Sequence, residues 1–346
     1  MSGLRAWVLR HRFLTVVLAL TALLVGYLGY HGVRTYVAWR QLERVSFDVA
    51  GSRIALEEMT TTTARAGAAT IPVVAVDPLA DDALAAYLVL GSDERPDPIP
   101  GFVQDTIYAD AILLYLVPSD GSPALVSLPR DLLVTSPCSG AVAKLNSMLA
   151  GCGSTVSGPE LLAIAVEDFT GIGIDHFAMI RFDAFVEVID GLGGIDLCVP
   201  HALGLNPTTE LLPAGCSRVD GTTTLAYVQN RTTLEFVDGA WRAIEGTSDL
   251  TRVQRQQDVL LALLARAKTL RTPSALADLV ASLDDGAVVL DDTLSMTEAI
   301  GLAWELRSTP GGSIRRIVLP VEPTVTDDGH YALVATATLR EVLFDS

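Results

Sequence analysis

One uncharged and mostly apolar run, Phe13–Tyr30, does most to limit how this chain can fold. As a helix it would extend about 27 Å, which is close to the thickness of the hydrocarbon layer of a bilayer. No second run of comparable length follows in the sequence. We therefore expect a single membrane-spanning segment, with roughly 310 residues outside the membrane.

The residues on either side of this run predict its orientation. Arg5, Arg10 and Arg12 precede it and favour a cytoplasmic N-terminus, although arginines also follow it. A cleaved signal peptide is the alternative, but no small-x-small cleavage site comes soon after the run. We predict a cytoplasmic segment 1–12, a transmembrane helix 13–33, a juxtamembrane linker 34–82 and an extracytoplasmic domain 83–346. This arrangement describes a single-pass protein of the cell membrane.

Four cysteines agree with a location outside the cytoplasm. An even number of cysteines in an oxidising compartment favours disulfides, and pairing between sequence neighbours is the simplest of the three possible connectivities. That pairing joins Cys138 to Cys152 and Cys198 to Cys216. Four buried free thiols are the alternative, whereas the absence of a CxxC spacing argues against zinc.

Beyond residue 84 the sequence alternates between strand-like and helix-like segments. Apolar runs such as Ile112–Val117, Ala124–Leu128 and Ile195–Val199 predict strands, and Gly158–Phe169 and Thr251–Thr269 predict helices. No linker separates the last seventy or so residues from the rest, so we expect them to complete the same domain. The predicted class is α/β.

The charge of the chain argues against a nucleic-acid partner. The formal net charge is −17, so bulk attraction to a polyanion is not expected. Such a protein can still bind a phosphate through a local group of arginines. Any such group has to be identified residue by residue.

Short polar motifs follow one another along the predicted domain. The first is Gly91-Ser92-Asp93-Glu94-Arg95, where a buried strand ends in an acid and a base. The others, in chain order, are an aspartate before a strand (Asp110), Pro129-Arg130-Asp131, Lys144-Leu145-Asn146, Gly191–Asp196, Asp220-Gly221 with Leu225–Val228, and Asp249–Gln257. Each motif alone is weak evidence. Their common order is much stronger evidence.

In this order the motifs resemble those of the LytR–CpsA–Psr family of cell-wall glycopolymer ligases. The resemblance covers about residues 84–268 and implies a single α/β/α domain with a central mixed β-sheet. It also implies that the protein moves a glycosyl phosphate from a polyprenyl-pyrophosphate carrier onto peptidoglycan. The lipid tail would occupy an apolar tunnel, and Mg²⁺ or Mn²⁺ would assist at the head group.

The resemblance also implies a role for each candidate residue. Asp93 and Asp110 would bind the metal, since Mg²⁺ prefers oxygen ligands. The arginines would contact phosphate oxygens and neutralise charge during the reaction. The catalytic arginines would be Arg95, Arg130, Arg231 and Arg252, and the substrate-binding residues Lys144, Asn146, Arg255 and Gln256. Asp105 is the alternative to Asp110, which is preferred because it directly precedes the predicted strand Ile112–Val117. His176 is predicted to be structural.

The sequence departs from the family pattern at two positions. Tyr108 and Gln229 stand where the family usually has arginine. Loss of a charged hydrogen-bonding group costs about 1.5–3 kcal/mol, so turnover of the usual substrate could be reduced. Two other functions therefore stay open, a non-catalytic scaffold or regulator that binds polyprenyl lipid or wall polymer, and a polyprenyl-pyrophosphate phosphatase.

Overall fold

The structure is a computed structural model. It describes residues 12–62, 84–92, 108–119, 122–230, 232–244, 248–281, 283, 288–326 and 329–344. The candidate residues Asp93, Arg95 and Arg231, and the alternative ligand Asp105, lie outside these ranges.

The described residues form an α/β fold. The helices are α1 (Arg12–Gln41), α2 (Val49–Thr62), α3 (Gly158–Thr170), α4 (Phe182–Gly191), α5 (Gly221–Gln229), α6 (Ser248–Ala267), α7 (Pro273–Ala281), α8 (Met296–Ser308) and α9 (Leu339–Phe344). Short 3-10 helices cover Leu145–Ala150 and Gly311–Ser313.

The strands are divided between one large sheet and several small ones. They are β1 (Glu43–Val45), β2 (Leu84–Ser92), β3 (Ala109–Pro118), β4 (Ala124–Leu128), β5 (Leu133–Thr135), β6 (Val142–Lys144), β7 (His176–Arg181), β8 (Ile195–Val199), β9 (Leu203–Asn206), β10 (Thr209–Leu212), β11 (Gly215–Val219), β12 (Leu234–Val237), β13 (Ala240–Ala243), β14 (Val288–Asp291), β15 (Arg315–Val318), β16 (Val321–Val325) and β17 (Tyr331–Ala335).

The large sheet is mixed, as the family resemblance implies. Its seven strands have the order β1-β14-β7-β2-β3-β4-β15. The β2–β3 and β3–β4 pairs are antiparallel, whereas β2–β7, β4–β15 and β1–β14 are parallel. As a result, the end of β2, the start of β3 and the end of β4 lie together at one end of the sheet. This end carries the candidate site.

Helices cover both faces of the large sheet. Along its central strands, successive side chains point to opposite faces, so apolar residues lie on both. Leu88 of β2 and Leu114 of β3 point into the main core, where they are fully buried with Leu162 of α3. Leu113 and Tyr115 point to the opposite face. There they form a second cluster with partly buried residues of α6 and α8. This three-layer arrangement agrees with the predicted α/β/α class.

The two predicted disulfides are present. Cys138 pairs with Cys152 and Cys198 pairs with Cys216, and no cysteine is free. Cys198 and Cys216 stand opposite each other on the antiparallel strands β8 and β11. In the chain-entropy account, loops of this size contribute about 3 kcal/mol each to stability.

The pairing predicts the outcome of a simple labelling experiment. Maleimide treatment of the denatured but unreduced protein should modify no cysteine, because all four are oxidised. The same treatment after reduction should add four labels, which mass spectrometry would detect. Four labels without reduction would contradict the pairing.

The N-terminal region joins the domain earlier than the predicted boundary at residue 83. Strand β1 pairs with β14 at the edge of the large sheet, and Phe47 and Leu56 are buried in the main core. Residues 43–62, which lie within the predicted linker 34–82, therefore pack as part of the fold. Burial of apolar side chains on α2, such as Leu56, against α3 is favourable in free energy relative to their exposure to water. This burial favours a packed helix over a solvated linker.

Helix α1 contains the predicted span 13–33. Its apolar side chains include Leu23, Leu24 and Val25, which are 70%, 56% and 64% exposed. Over the part of the chain that the structure describes, no helix is sufficiently long and apolar to cross a membrane.

Candidate active site

Asp110 is the centre of the candidate site. It follows Ala109 at the start of β3, and Ala109 pairs with Ser92 at the end of β2. Asp93, the other predicted metal ligand, directly follows Ser92 in the sequence. The sheet register therefore brings the residues that precede both predicted ligands to the same place.

Two arginines converge on the Asp110 carboxylate. Arg130, in the turn after β4, forms an ion pair with Oδ1 of Asp110, and Nη1 of Arg252 lies 3.8 Å from the same oxygen. The Arg252 side chain is only 4% exposed, and those of Arg130 and Asp110 are 17% and 18% exposed. Because exclusion of water strengthens these interactions, the group can hold a negatively charged ligand firmly.

The first turns of helix α6 bring a second side chain to the same strand. Arg252 and Gln256 are four residues apart and so lie on one face of the helix. Nε2 of Gln256 donates to the main-chain carbonyl of Asp110 at 3.2 Å. The helix begins at Ser248, three residues before the predicted start at Thr251. Thr251 and Gln254, whose spacing fits a capping box, therefore lie within the helix and do not cap its start.

The predicted Lys144 and Asn146 are adjacent to this cluster. Nζ of Lys144 lies 3.0 Å from Oδ1 of Asp131, and Nε of Arg130 lies 3.6 Å from Oδ2 of Asp131. The main-chain N–H of Asn146 donates to the carbonyl of Arg130 at 3.0 Å. Oδ1 of Asn146 is buried and has no hydrogen-bond partner among the described residues. A bound ligand is one kind of group that satisfies such an atom.

Asp131 contributes more than the sequence indicated. Its carboxylate lies beside Arg130 and also forms an ion pair with Lys144. It thereby connects the turn after β4 to the end of β6. Among the described residues, three cationic side chains thus face two carboxylates. This excess positive charge suits an anionic ligand.

Arg255 has a different position from the one predicted. Its Nη1 donates to the carbonyl of Asn230 at 3.1 Å and to Oγ1 of Thr233 at 2.7 Å, and its guanidinium lies 5.3 Å from the centre of the Tyr227 ring. Burial lowers the pKa of Arg255. These contacts join α6 to Asn230 and Thr233, so we expect Arg255 to act as a positioning residue rather than as a phosphate ligand.

We expect Arg255→Met to destabilise the protein by about 1.5–3 kcal/mol, because buried partners of a charged group would be left unsatisfied. Urea denaturation of the full chain in detergent would measure this change. Arg271→Met, at an exposed position, is the matched control and should shift stability by less than about 0.5 kcal/mol. Unchanged stability together with weaker diphosphate binding would instead favour direct phosphate contact.

The remaining candidates are described only in part or lie elsewhere. Tyr108 is 43% exposed just before β3, and Gln229 ends α5. His176 begins β7 beside Tyr87, at the end of the sheet opposite Asp110, and its Nδ1 lies 3.2 Å from Oδ1 of the buried Asp291. This hydrogen bond agrees with a structural role. The described residues contain no group of three acidic, histidine or cysteine side chains arranged to hold a metal.

Comparison with known families settles the relationship. The sequence model of the LytR_cpsA_psr family matches residues 50–343, which is most of the chain. The chain belongs to this family. The family boundary at residue 50 also agrees with the packing of α2 into the domain. The solved LytR-Csp2A-Psr enzyme from Actinomyces oris is similar to 75% of this chain and to 88% of its own length, with 25% identity and a TM-score of 0.58.

Two curated proteins are also similar to this chain. The probable cell wall biosynthesis protein LcpB of Corynebacterium glutamicum is 36% identical over 46% of this chain and 34% of its own length. The polyisoprenyl-teichoic acid–peptidoglycan teichoic acid transferase TagT of Bacillus subtilis is 28% identical over 63% of this chain and 62% of its own length. The matches thus span less than two thirds of either relative.

Proposed function

We propose that this protein is a membrane-anchored phosphotransferase that moves a glycopolymer from a polyprenyl-pyrophosphate carrier onto peptidoglycan. The observation that carries the proposal is the convergence of Arg130 and Arg252 on Asp110, with Lys144 beside them. A partly buried cationic cluster of this kind suits a diphosphate. The glycopolymer and the peptidoglycan acceptor are proposed by analogy with relatives such as TagT, a teichoic acid–peptidoglycan transferase.

The proposed reaction is attack by an acceptor hydroxyl on the phosphorus next to the sugar. A new phosphorus–oxygen bond forms to peptidoglycan, the bond to the bridging oxygen breaks, and polyprenyl phosphate leaves with that oxygen. The hydroxyl proton is released to water or to a base. Arg130 and Arg252 would bind the phosphate oxygens and neutralise the charge that develops on them. Lys144 would hold the remaining charge of the diphosphate as a point cation.

The site fits a divalent metal at one position. Asp110 supplies a carboxylate beside the strand end that precedes Asp93, and oxygen donors suit Mg²⁺ or Mn²⁺. We propose that Asp110 would hold the metal together with Asp93. The metal would supply further neutralisation of the diphosphate.

The proposed location is the outer face of the cell membrane, with a cytoplasmic N-terminus. Support comes from the uncharged run Phe13–Tyr30 within α1, whose described apolar side chains are largely exposed. An exposed apolar helix surface of this size is costly in water and favourable in lipid. The two disulfides agree with an oxidising compartment.

Product analysis would separate this function from its two competitors. The full chain in detergent would be incubated with Mg²⁺, a polyprenyl-pyrophosphoryl oligosaccharide and peptidoglycan fragments. Joined oligosaccharide and peptidoglycan would support the transferase. Free sugar phosphate would indicate a phosphatase, and unchanged substrate that is nevertheless bound would indicate a scaffold. The scaffold is a competitor because Tyr108 and Gln229 are neutral at positions where the family usually has arginine.

We expect Tyr108→Arg to strengthen binding of a polyprenyl diphosphate by about tenfold or more, since a charged hydrogen bond contributes about 1.5–3 kcal/mol. Tyr108→Lys is the matched control, with the same charge but no bidentate geometry, and should have a smaller effect. Fluorescence titration with a labelled lipid would measure both. Equal affinity of the parent and Tyr108→Arg would show that position 108 does not face the phosphate.

A further inference from the structure

Helix α7 lies beside the segment of α1 that we propose to enter the membrane. Oη of Tyr27 is 3.3 Å from Oγ of Ser274, and Arg34 forms an ion pair with Asp278 one turn further along. Tyr27 belongs to the uncharged run Phe13–Tyr30. If that run occupies the bilayer, the start of α7 lies at the level of the lipid head groups.

Basic side chains surround the start of α7. Lys268 and Arg271 lie in the turn between α6 and α7, and Arg307 lies in the last turn of α8. Nη1 of Arg307 donates to the carbonyl of Leu270 at 2.9 Å, and Lys268 donates to the carbonyl of Thr309, so the three cations share one surface. Within the described ranges, no ion pair involves Arg271 or Arg307. A local basic group of this kind stands out in a chain with a net charge of −17.

The same surface carries two large exposed apolar side chains. Ile300 and Trp304 are one turn apart on α8 and are 58% and 73% exposed. The other side of α8 packs Leu302 and Leu306 on the cluster around Tyr115. An exposed tryptophan with an arginine one turn away is typical of a helix at a membrane interface.

The two acidic residues of α8 do not oppose this arrangement. Glu298 caps the far end of the helix by accepting from the main-chain N–H of Ser295 at 2.9 Å. Glu305 acts on the inner side, where its charge adds to burial in raising the pKa of Tyr115 to about 12. The surface formed by Lys268, Arg271, Ile300, Trp304 and Arg307, which we call the basal surface, therefore stays cationic and apolar.

We infer that the basal surface rests on the head groups of an anionic bilayer. This inference rests on the proposed membrane anchor. Each basic residue near such a surface adds to the attraction, while Trp304 and Ile300 insert at the boundary with the acyl chains. The anchor alone would leave the domain free to tilt, and the basal surface supplies a second contact that fixes its orientation.

The inferred contact also sets the height of the candidate site. Arg315 comes soon after α8, and its main-chain N–H donates to the carbonyl of Pro123 next to the start of β4. This is the end of the sheet opposite Asp110. The length of β3 then separates the two ends by about 30 Å. The Asp110 cluster would therefore lie at the end of the sheet farther from the bilayer surface.

Quenching of Trp304 fluorescence by brominated lipids would test the inference. The full chain would be placed in nanodiscs of phosphatidylglycerol with bromine near the glycerol end of the acyl chains. The difference between the parent and Trp304→Phe isolates Trp304 from Trp7, Trp39 and Trp241. We expect strong quenching of Trp304, and loss of that quenching in the double variant Arg271→Glu/Arg307→Glu or in phosphatidylcholine discs. Arg218→Glu/Arg242→Glu, with the same charge change on the β11 and β13 strands, should keep it.

The experiment distinguishes failure of the surface from failure of the anchor. If the chain co-elutes with the disc and Trp304 is not quenched, the anchor stands and the basal contact is overturned. Quenching that persists in Arg271→Glu/Arg307→Glu would remove the role of charge and overturn the anionic part of the inference. A chain that does not stay with the disc would contradict the anchor and the inference together.

Discussion

Asp110→Asn is expected to reduce glycopolymer transfer by at least about a hundredfold, as is common when one preorganised charge is removed from a transition-state site. Asparagine keeps the size of the side chain and one acceptor oxygen, so the arginines keep a hydrogen-bonding partner. It removes the negative charge that orients Arg130 and Arg252 and that would bind the metal. Initial rates of product formation, with lipid and peptidoglycan at saturation, would measure the loss.

The control for this change is Asp196→Asn. Asp196 also pairs with an arginine, Arg218, but its side chain is 60% exposed and lies on β8, away from the cluster. An exposed ion pair contributes little, so turnover and thermal stability should stay close to those of the parent. If Asp110→Asn kept full turnover while remaining folded, Asp110 would have no part in the chemistry.

Arg252→Gln is expected to cost about as much, roughly 10²–10³ in turnover, because a donor in a water-excluded site is lost. Glutamine retains some hydrogen-bonding capacity but not the charge. The effect should fall mainly on turnover if Arg252 acts on the transition state, and mainly on KM if it only binds the ground state. Steady-state kinetics against the lipid substrate would separate the two.

Arg252→Lys and Arg218→Gln serve as comparisons for this variant. Lysine restores the charge without the planar fork, so it should recover only part of the turnover. Arg218→Gln removes an arginine whose side chain is 47% exposed and far from Asp110, and it should leave turnover unchanged. Full activity of Arg252→Gln would contradict its place in the site.

The sequence predicted regular elements well where local signals agreed with packing. Strand β8 has the predicted bounds, Ile195–Val199, because its apolar residues alternate and both ends are marked by glycine or proline. Helix α3 begins at the predicted Gly158, where Ser157 and Glu160 form a capping box. Helix α6 begins at Ser248, three residues before the predicted Thr251.

Sequence spacing could not separate the candidate residues that reach Asp110 from those that do not, and Arg255 shows why. On a helix, Gln256 lies about 40° from Arg252 and Arg255 about 60° on the other side, so sequence spacing places all three near one face. Only the folded structure shows that the Arg255 guanidinium donates hydrogen bonds to the Asn230 carbonyl and the Thr233 hydroxyl. The second role of Asp131 was likewise invisible, because β5 and β6 bring Lys144 back to it through pairing that the sequence does not specify.

The central claim is that the cluster around Asp110 binds the diphosphate of a lipid carrier. Phosphorus NMR of a short-chain polyprenyl diphosphate, titrated with the full chain and Mg²⁺ in detergent, tests this most directly. The account predicts that both phosphorus resonances shift with the parent and with Arg218→Gln, but far less with the double variant Arg130→Gln/Arg252→Gln. Equal shifts with the parent and this double variant would show that the diphosphate binds elsewhere.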